Sequence, residues 1–305
     1  MRVAITGGTG FVGRHLAERL DPVDTVVVSR RTGVPIDDVD ALTAAFADCD
    51  VVVHCAGINR EIGDQTFAHV HVDGTRAVVE AARRAGVQRI VMLSFLRARS
   101  DCGSGYHETK WAAEELVRQS GIDHTILKAG MIYGPGDHMV DHVARAERTW
   151  PVFATVGYRD RTVRPLPVEE AVNVLLAAIE GRVPNPTVAV LGAEELTFGT
   201  AVRRIARVAG RRPVYVRAPV WAICALAKLT EWTMVVPLVA KAQTRMLAEG
   251  VSEPAPFAPE LPEGIRPTLM FDDERIRAAL PDGRFGLGDL RLTKWWAEQR
   301  RRSGF

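Results

Sequence analysis

The feature that most constrains how this chain folds is a short apolar run followed by three glycines at a fixed spacing. Residues 3–5 form the run, Gly7, Gly10 and Gly13 follow it, and apolar residues then recur with a helical period over 11–20. This order predicts a strand, a tight turn and a helix. Gly7 permits the turn, Gly10 lets a ligand approach the backbone, and Gly13 lets the helix lie close to the strand. Because free N–H groups and the helix dipole attract anions, the segment predicts a pyrophosphate site.

Beyond this segment the chain alternates between strand-like and helix-like patterns. Repeated β-then-α units predict an α/β fold with a doubly wound parallel sheet and helices on both faces. Prolines between 128 and 168 predict longer loops there, and five prolines within 252–267 predict an extended surface loop. The predicted strands cover residues 26–29, 51–56, 89–94, 124–128, 188–191 and 213–217, and the predicted helices cover residues 41–47, 72–85, 106–120, 168–180, 198–209, 219–229 and 235–247.

Composition limits the class of protein. With 305 residues, 47% hydrophobic and 25% charged, the chain has enough material for one sizeable core and a smaller lobe. The net charge of +2 does not indicate a nucleic-acid partner. The four cysteines form no CxxC pair, so neither a metal site nor a disulfide framework is predicted.

The sequence also predicts where in the cell the protein is located. The first strand begins at once, which leaves no room for a signal peptide, and no apolar stretch has the length of a membrane span. A cytoplasmic protein is therefore expected. The predicted helices over 219–229 and 235–247 are amphipathic, and packing within the lobe is favoured over docking to a membrane surface or a protein partner.

A second motif carries chemistry. Tyr106 and Lys110 are four residues apart on a predicted helix, so the phenol and the ammonium share one face. A fixed cation nearby is expected to lower the tyrosine pKa towards the range of a general acid/base. The alternative is an ordinary surface pair. The position of the motif, on the helix after a predicted sheet strand, favours the functional interpretation.

These two motifs resemble those of the extended and atypical short-chain dehydrogenase/reductase superfamily, which includes the NAD-dependent epimerases and dehydratases. The resemblance rests on TGGTGFVG, residues 6–13, and on the YxxxK pattern of residues 106–110. It implies a Rossmann-type NAD(P)-binding domain over 1–192, with 137–163 contributing to a substrate lobe, and a smaller C-terminal lobe over 193–305. It also implies that Tyr106 exchanges the substrate proton and that Lys110 binds the nicotinamide ribose.

Two positions depart from the superfamily pattern. A Ser or Thr usually helps to hold the substrate oxygen, but Phe95 occupies that place and Ser94 lies one residue early. Ser94 is kept as a catalytic candidate, with capping of the strand as the alternative, and Ser100 and Ser104 are possible substitutes. His71 stands where the superfamily has an asparagine that supports the lysine, and a structural role is favoured for it.

The cofactor preference is predicted from the end of the second strand. An acidic residue there would bind the adenosine ribose hydroxyls, but the chain has Ser29, Arg30 and Arg31. Arginine forks bind phosphate well, so NADP(H) is preferred and NAD(H) is the alternative. A solvated Arg-Arg pair in a loop is the competing interpretation.

The resemblance implies further cofactor contacts along the chain. Those in the glycine segment accompany the pyrophosphate, those after the second strand lie on the adenine side, and those at the ends of later strands border the nicotinamide. They are Gly7, Thr9, Gly10, Phe11, Val12 and Gly13, then Ile36 and Asp37, then Cys55, Ala56 and Gly57, and finally Ala129, Gly130 and Met131.

Two functions remain open at this point. The first is an oxidoreductase or epimerase that transfers hydride between NADP(H) and a carbonyl or carbinol substrate, with Tyr106 as general acid/base. The second is a catalytically weak nucleotide-binding scaffold or redox sensor, because residues 243–250 resemble the C-terminal lobe of atypical members related to the complex I accessory subunit. A small-molecule substrate is expected, with an apolar compound as one option, and the protein is expected to be a monomer or a homodimer.

Overall fold

The fold is described from a computed structural model, which places residues 1–234 and 248–285. The helix predicted over 235–247 and most of the complex-I-like segment lie outside these residues. Twelve strands and nine helices are described. The strands are β1 (Val3–Thr6), β2 (Thr25–Val28), β3 (Val51–His54), β4 (Arg89–Phe95), β5 (Asp123–Ala129), β6 (Ile132–Tyr133), β7 (Val152–Val156), β8 (Thr162–Val163), β9 (Leu166–Pro167), β10 (Thr187–Val190), β11 (Leu196–Thr197) and β12 (Val214–Ala218).

The helices alternate with the strands of the main sheet, as the sequence predicts. They are α1 (Phe11–Ala17), α2 (Val39–Ala45), α3 (Gly74–Ala85), α4 (Gly105–Arg118), α5 (Met139–Thr149), α6 (Val168–Ile179), α7 (Phe198–Val208), α8 (Val220–Thr233) and α9 (Asp273–Ala279).

Six of the strands form one parallel sheet in the order β10-β5-β4-β3-β1-β2. Every residue of β1 and of β3 is buried, so both faces of these strands are covered. Val3 and Ile5 pack with α6 on one face, whereas Ala4 packs with α2 and α3 on the other. The Rossmann-like, doubly wound α/β class predicted from the sequence is confirmed.

The chain divides into two compact units, and the first contains this sheet. Unit 1 comprises residues 1–132, 164–195 and 251–270, so it includes a segment beyond the boundary at 192 that the sequence predicts. Within 251–270, Ala258 and Leu261 are buried, and Glu263–Ile265 forms a 3-10 turn, where an extended surface loop is expected.

Unit 2 comprises residues 133–163, 196–250 and 271–305. In it β7 pairs in parallel with β12, and β8 pairs with β11 in antiparallel fashion. The prediction of loops between 128 and 168 is wrong for Met139–Thr149, which form helix α5. The two prolines that indicate loops, Pro135 and Pro151, lie outside the helix, which buries Val140 and Val143 with a helical period.

Two further findings concern the whole described part of the chain. None of the helices that the structure describes is long and apolar enough to cross a membrane. All four cysteines are free thiols, with Cys49 buried and Cys55 partly exposed.

Candidate dinucleotide and catalytic site

The glycine turn between β1 and α1 leaves no room for side chains. Gly7 has φ +69°, and a Cβ there would lie 2.7 Å from the Ala56 backbone. A Cβ on Gly13 would lie 2.4 Å from the carbonyl oxygen of Gly7. Gly10 caps α1 through its backbone alone, without a side-chain cap. The glycines therefore keep side chains out of this turn at the start of α1, and such a cradle fits a pyrophosphate.

The end of β2 presents two cations to solvent. Arg30 and Arg31 lie exposed in a 3-10 turn, and neither guanidinium has a hydrogen-bond or ion-pair partner in the part of the chain that the structure describes. Ser29 caps this turn by accepting a hydrogen bond from the Thr32 N–H at 3.2 Å. The serine therefore fixes the turn, while the arginines stay available for an anionic group.

The other predicted adenine-side and strand-end residues follow the carboxyl ends of β2 and β5. Ile36 is half-buried against Gly74, and Asp37 lies 3.6 Å from the His69 ring. Ala129 is buried at the end of β5, and the residues after it are partly exposed. Gly130 donates its N–H to the Val190 carbonyl at 3.2 Å, and Met131 accepts from the Leu166 N–H at 2.8 Å.

A buried chain of polar groups connects β1 and β3 to the start of α3. Thr75 donates to the His71 carbonyl at 2.5 Å and must therefore accept from His54, whose Nε2 lies 3.0 Å away. The other His54 nitrogen, Nδ1, is 2.7 Å from the Thr6 hydroxyl and accepts from it. Burial lowers the pKa of His54 to about 3, so the ring is neutral. These contacts fix the strand ends from which the site is built.

His71 lies in a π-helical turn, Ala68–Asp73, that precedes α3 and that the sequence does not predict. It is buried, with Nδ1 3.0 Å from the Thr109 hydroxyl. Its Nε2 accepts from the backbone N–H of Ile58 at 3.2 Å. Burial first, and then the charge of Lys110, lower the pKa of His71 to about 2, so the ring is neutral. The structural role favoured from the sequence agrees with these contacts.

Tyr106 lies in an aromatic enclosure formed by four rings. Those rings are 5.1–5.8 Å apart, and the enclosure leaves the tyrosine 7% exposed. Its hydroxyl donates to Asn59 Oδ1 at 3.4 Å. Burial raises the pKa of Tyr106 above its usual value. The rings around Tyr106 belong to Phe67, His71, Phe95 and His107.

Lys110 is also buried, and it donates to the Leu93 carbonyl at 3.0 Å. Burial lowers its pKa to about 8, although the nearby Glu114 carboxylate opposes the shift. A Cβ on Gly57 would lie 3.8 Å from Nζ of Lys110 and 3.6 Å from Nε2 of His71, so these groups share one side of the site. The expectation that the lysine lowers the tyrosine pKa is wrong for this structure, because burial dominates the tyrosine and the ammonium is held by a carbonyl.

Ser94 does not face Tyr106. Phe95 is the residue of β4 whose ring contacts the Tyr106 ring, at a centroid distance of 5.4 Å. The Ser94 hydroxyl donates to Glu114 Oε1 at 2.5 Å. Glu114 also accepts from Lys128 at 3.0 Å and from Arg118 at 2.8 Å. The structure therefore places Ser94 in a buried ion network instead of beside the tyrosine.

Sequence reasoning missed several members of this site. Glu114 continues the spacing of Tyr106 and Lys110 along α4, so one more step of the helical period would have identified it. Asn59 and Phe67 lie in or just after the irregular segment that follows β3, where no periodicity indicates which residues approach the tyrosine.

Comparison with known proteins identifies the family to which the chain belongs. The model of the NAD dependent epimerase/dehydratase family matches residues 3–190. The chain belongs to that family. A ceramide reductase of Caulobacter vibrioides is 33% identical in an alignment of 245 residues, and the match covers 71% of this chain and 73% of the relative. This epimerase/dehydratase family member is therefore an NAD(P)-dependent oxidoreductase or epimerase.

More distant similarities point to the same fold. A mitochondrial NADH dehydrogenase [ubiquinone] 1 alpha subcomplex subunit 9 of Dictyostelium discoideum is 21% identical, with 58% of this chain and 54% of that protein covered. Among solved structures, UDP-glucuronic acid 4-epimerase from Bacillus cereus, in complex with NAD, has a TM-score of 0.63 at 17% identity. That similarity covers 91% of this chain and 97% of the epimerase.

Proposed function

We propose that this protein is an NADP(H)-dependent reductase of a carbonyl substrate, with Tyr106 as the proton donor. The observation that carries the proposal is the state of Tyr106. Its hydroxyl is buried, hydrogen-bonded at 3.4 Å to Asn59, and its pKa is raised by burial. A tyrosine that stays protonated at neutral pH donates a proton to a carbonyl oxygen more readily than it removes one from an alcohol.

The chain has residues to bind each part of the cofactor. The glycine turn of residues 7–13 holds the pyrophosphate, and Arg30 and Arg31 hold the 2′-phosphate that distinguishes NADP(H) from NAD(H). Lys110, with a pKa of about 8, is mostly charged at neutral pH and binds the nicotinamide ribose. When bound in its reduced form, the cofactor supplies hydride to the carbonyl carbon.

The substrate class follows from the surroundings of the tyrosine. Phe67 and Phe95 flank the Tyr106 ring at 5.5 and 5.4 Å, so apolar groups next to the reacting carbonyl would find apolar contacts. The similarity to a ceramide reductase supports the same choice. We therefore propose a lipid-like ketone as substrate, in preference to a nucleotide sugar.

The second candidate is a nucleotide-binding protein without turnover. It is favoured by Phe95, which takes the place of a hydroxyl beside Tyr106, and by the similarity to the complex I subunit. Such a protein would bind NADPH tightly and reduce no carbonyl compound.

One experiment separates the two. NADPH oxidation is measured with aliphatic ketones of increasing chain length, with a 3-keto sphingoid base and with a 4-keto nucleotide sugar. Tyr106→Phe should lower kcat by about 10²–10⁴-fold with NADPH binding retained. Tyr158→Phe, an exposed tyrosine of unit 2, is the matched control and should keep wild-type activity. Activity that survives Tyr106→Phe would contradict the proposed role, and tight NADPH binding without any turnover would favour the second candidate.

A further inference from the structure

The reacting oxygen of a carbonyl reduction needs more than one hydrogen-bond donor, because it gains negative charge as hydride arrives. Three hydroxyls on β4 or near the start of α4 are engaged elsewhere. Ser94 donates to Glu114 at 2.5 Å, Ser104 lies 2.6 Å from His107 Nδ1, and Thr109 donates to the Gly105 carbonyl at 2.6 Å.

Asn59 is the side chain that meets the tyrosine hydroxyl. Its Oδ1 lies 3.4 Å from the Tyr106 oxygen. An amide carries two N–H donors besides this acceptor, so one side chain can contact the phenol and also donate to a second oxygen. Asn59 is itself exposed, which leaves that amide accessible to a substrate.

The backbone just before Asn59 is fixed. The N–H of Ile58 donates to Nε2 of the buried His71 at 3.2 Å. Nδ1 of the same ring is held by Thr109 of α4, one residue before Lys110. Asn59 is therefore tied to the helix that carries Tyr106, although it lies in an irregular segment.

We propose that Asn59 is the second donor to the reacting carbonyl oxygen, in the place that a Ser or Thr would otherwise fill. The inference rests on the proposed function. When a carbonyl oxygen enters, the Tyr106 hydroxyl turns from Asn59 Oδ1 to that oxygen, and Nδ2–H of Asn59 donates to it as well. The C=O π bond then breaks, a C–H bond forms with hydride from the reduced dinucleotide, and an O–H bond forms with the Tyr106 proton. The dinucleotide is oxidised, the substrate is reduced to the alcohol, and Tyr106 is left as phenolate.

The test begins with Asn59→Ala and Asn59→Asp, which both remove the N–H donors while the second keeps the shape. Both should lower kcat by about 10²–10³-fold, with KM changed by less than about threefold. Asn173→Ala, at an exposed asparagine of the same unit, is the control and should change neither constant. Replacing Phe95 by Thr in the Asn59→Ala protein should recover at least about tenfold in kcat, because it puts a hydroxyl in the place of the Phe95 ring, which contacts Tyr106.

A second readout does not depend on turnover. Infrared difference spectra of the cofactor-free protein, with Tyr106→Phe as the reference that identifies its signal, should show a shifted phenol C–O band of Tyr106 in Asn59→Ala, because the hydroxyl loses its hydrogen-bond acceptor. An unchanged Tyr106 band, or an unchanged kcat in Asn59→Ala where wild type is active, would overturn the inference. An inactive wild type would instead contradict the proposed function, and the spectra would still test the Asn59 contact.

Discussion

Gly10 and Gly13 are three residues apart at the same turn, but a side chain would have different consequences at the two positions. At Gly13 a Cβ would lie 2.4 Å from the Gly7 carbonyl oxygen, which is closer than real contacts allow. At Gly10 the nearest atom would be the same oxygen at 3.0 Å, and φ is an ordinary −77°. Gly13 is therefore needed by the fold itself, whereas we expect Gly10 to matter for a ligand that approaches the turn.

This difference gives a paired prediction. Gly13→Ala should destabilise the protein by roughly 1–3 kcal/mol, because the helix must move away from the strand. Gly10→Ala should keep nearly wild-type stability and weaken dinucleotide binding at least about tenfold, because the methyl group would occupy the phosphate position. Urea unfolding and calorimetric titration with NADPH measure the two effects. Equal stability of the two variants would contradict the assignment.

The exposed arginines after β2 are the basis of the proposed preference for NADP(H). Arg30→Ala should weaken NADPH binding by roughly 1.5–3 kcal/mol, since a charged hydrogen bond to the 2′-phosphate is lost. NADH binding should change by much less. Arg19→Ala, which removes a charge near the end of α1, is the control. The prediction fails if both coenzymes lose affinity equally.

At the scale of single elements, the packing of β4 against α4 determines which residues surround Ser94 and Phe95. The sequence identifies the strand and the helix, and it also identifies Tyr106 and Lys110 by their spacing. Ser94 and Phe95, however, contact different residues of the same helix: Ser94 contacts Glu114, and Phe95 contacts Tyr106. Single-residue register of this kind follows from the tertiary packing and is not contained in the local pattern.

The buried ion network between these elements gives a prediction for stability. Glu114→Gln should destabilise the protein by about 3–5 kcal/mol, because Lys128 would lose its carboxylate partner in a buried position. Ser94→Ala should cost only about 1 kcal/mol and should keep kcat within about threefold of wild type. Unfolding curves and turnover on the same preparations check both statements. A large loss of kcat in Ser94→Ala would restore Ser94 as a catalytic candidate.

At the scale of the whole molecule, the sequence predicts the parallel α/β architecture and the order of its main elements along the chain. Those elements have strong local signals, such as continuous apolar strands and left-handed glycines at helix ends, of which Gly86 at φ +72° is one. The strand order is not predicted, and for the second unit the sequence predicts a smaller lobe but not the strand pairs within it. Helix α5 is not predicted because the prolines on either side of it indicate loops. Strand pairs such as β7 with β12 are not predicted because they join segments far apart in the chain.

Unit 2 contains a buried carboxylate that makes global stability depend on pH. Glu147 is buried in α5, and burial raises its pKa from 4.5 to about 8. The stability associated with its protonated form is therefore fully present below about pH 4.5 and is lost as the pH rises to about 8. Glu147→Gln keeps an acceptor for the Tyr215 hydroxyl, which lies 3.2 Å from Oε1, and has no charge to bury.

We expect Glu147→Gln to be more stable than wild type by roughly 1–3 kcal/mol at pH 8.5, with the difference vanishing near pH 4.5. Urea unfolding at the two pH values measures it. Glu263→Gln, at an exposed glutamate, should show no such trend. A difference that does not vary with pH would exclude titration of Glu147 as its cause.

The segment 251–270 of unit 1 has a consequence for any shortened version of this protein. Ala189 in β10 donates its N–H to the carbonyl of Pro259 at 2.8 Å, and the Thr268 N–H donates to Glu170 of α6 at 2.6 Å. This segment shields the hydrogen-bonding groups of an outer strand, which would otherwise be open to pairing with another chain. A dinucleotide-binding fragment that stops near 195 would expose that strand and should self-associate, so a usable fragment has to supply residues 251–270 as well, for instance through an engineered short linker.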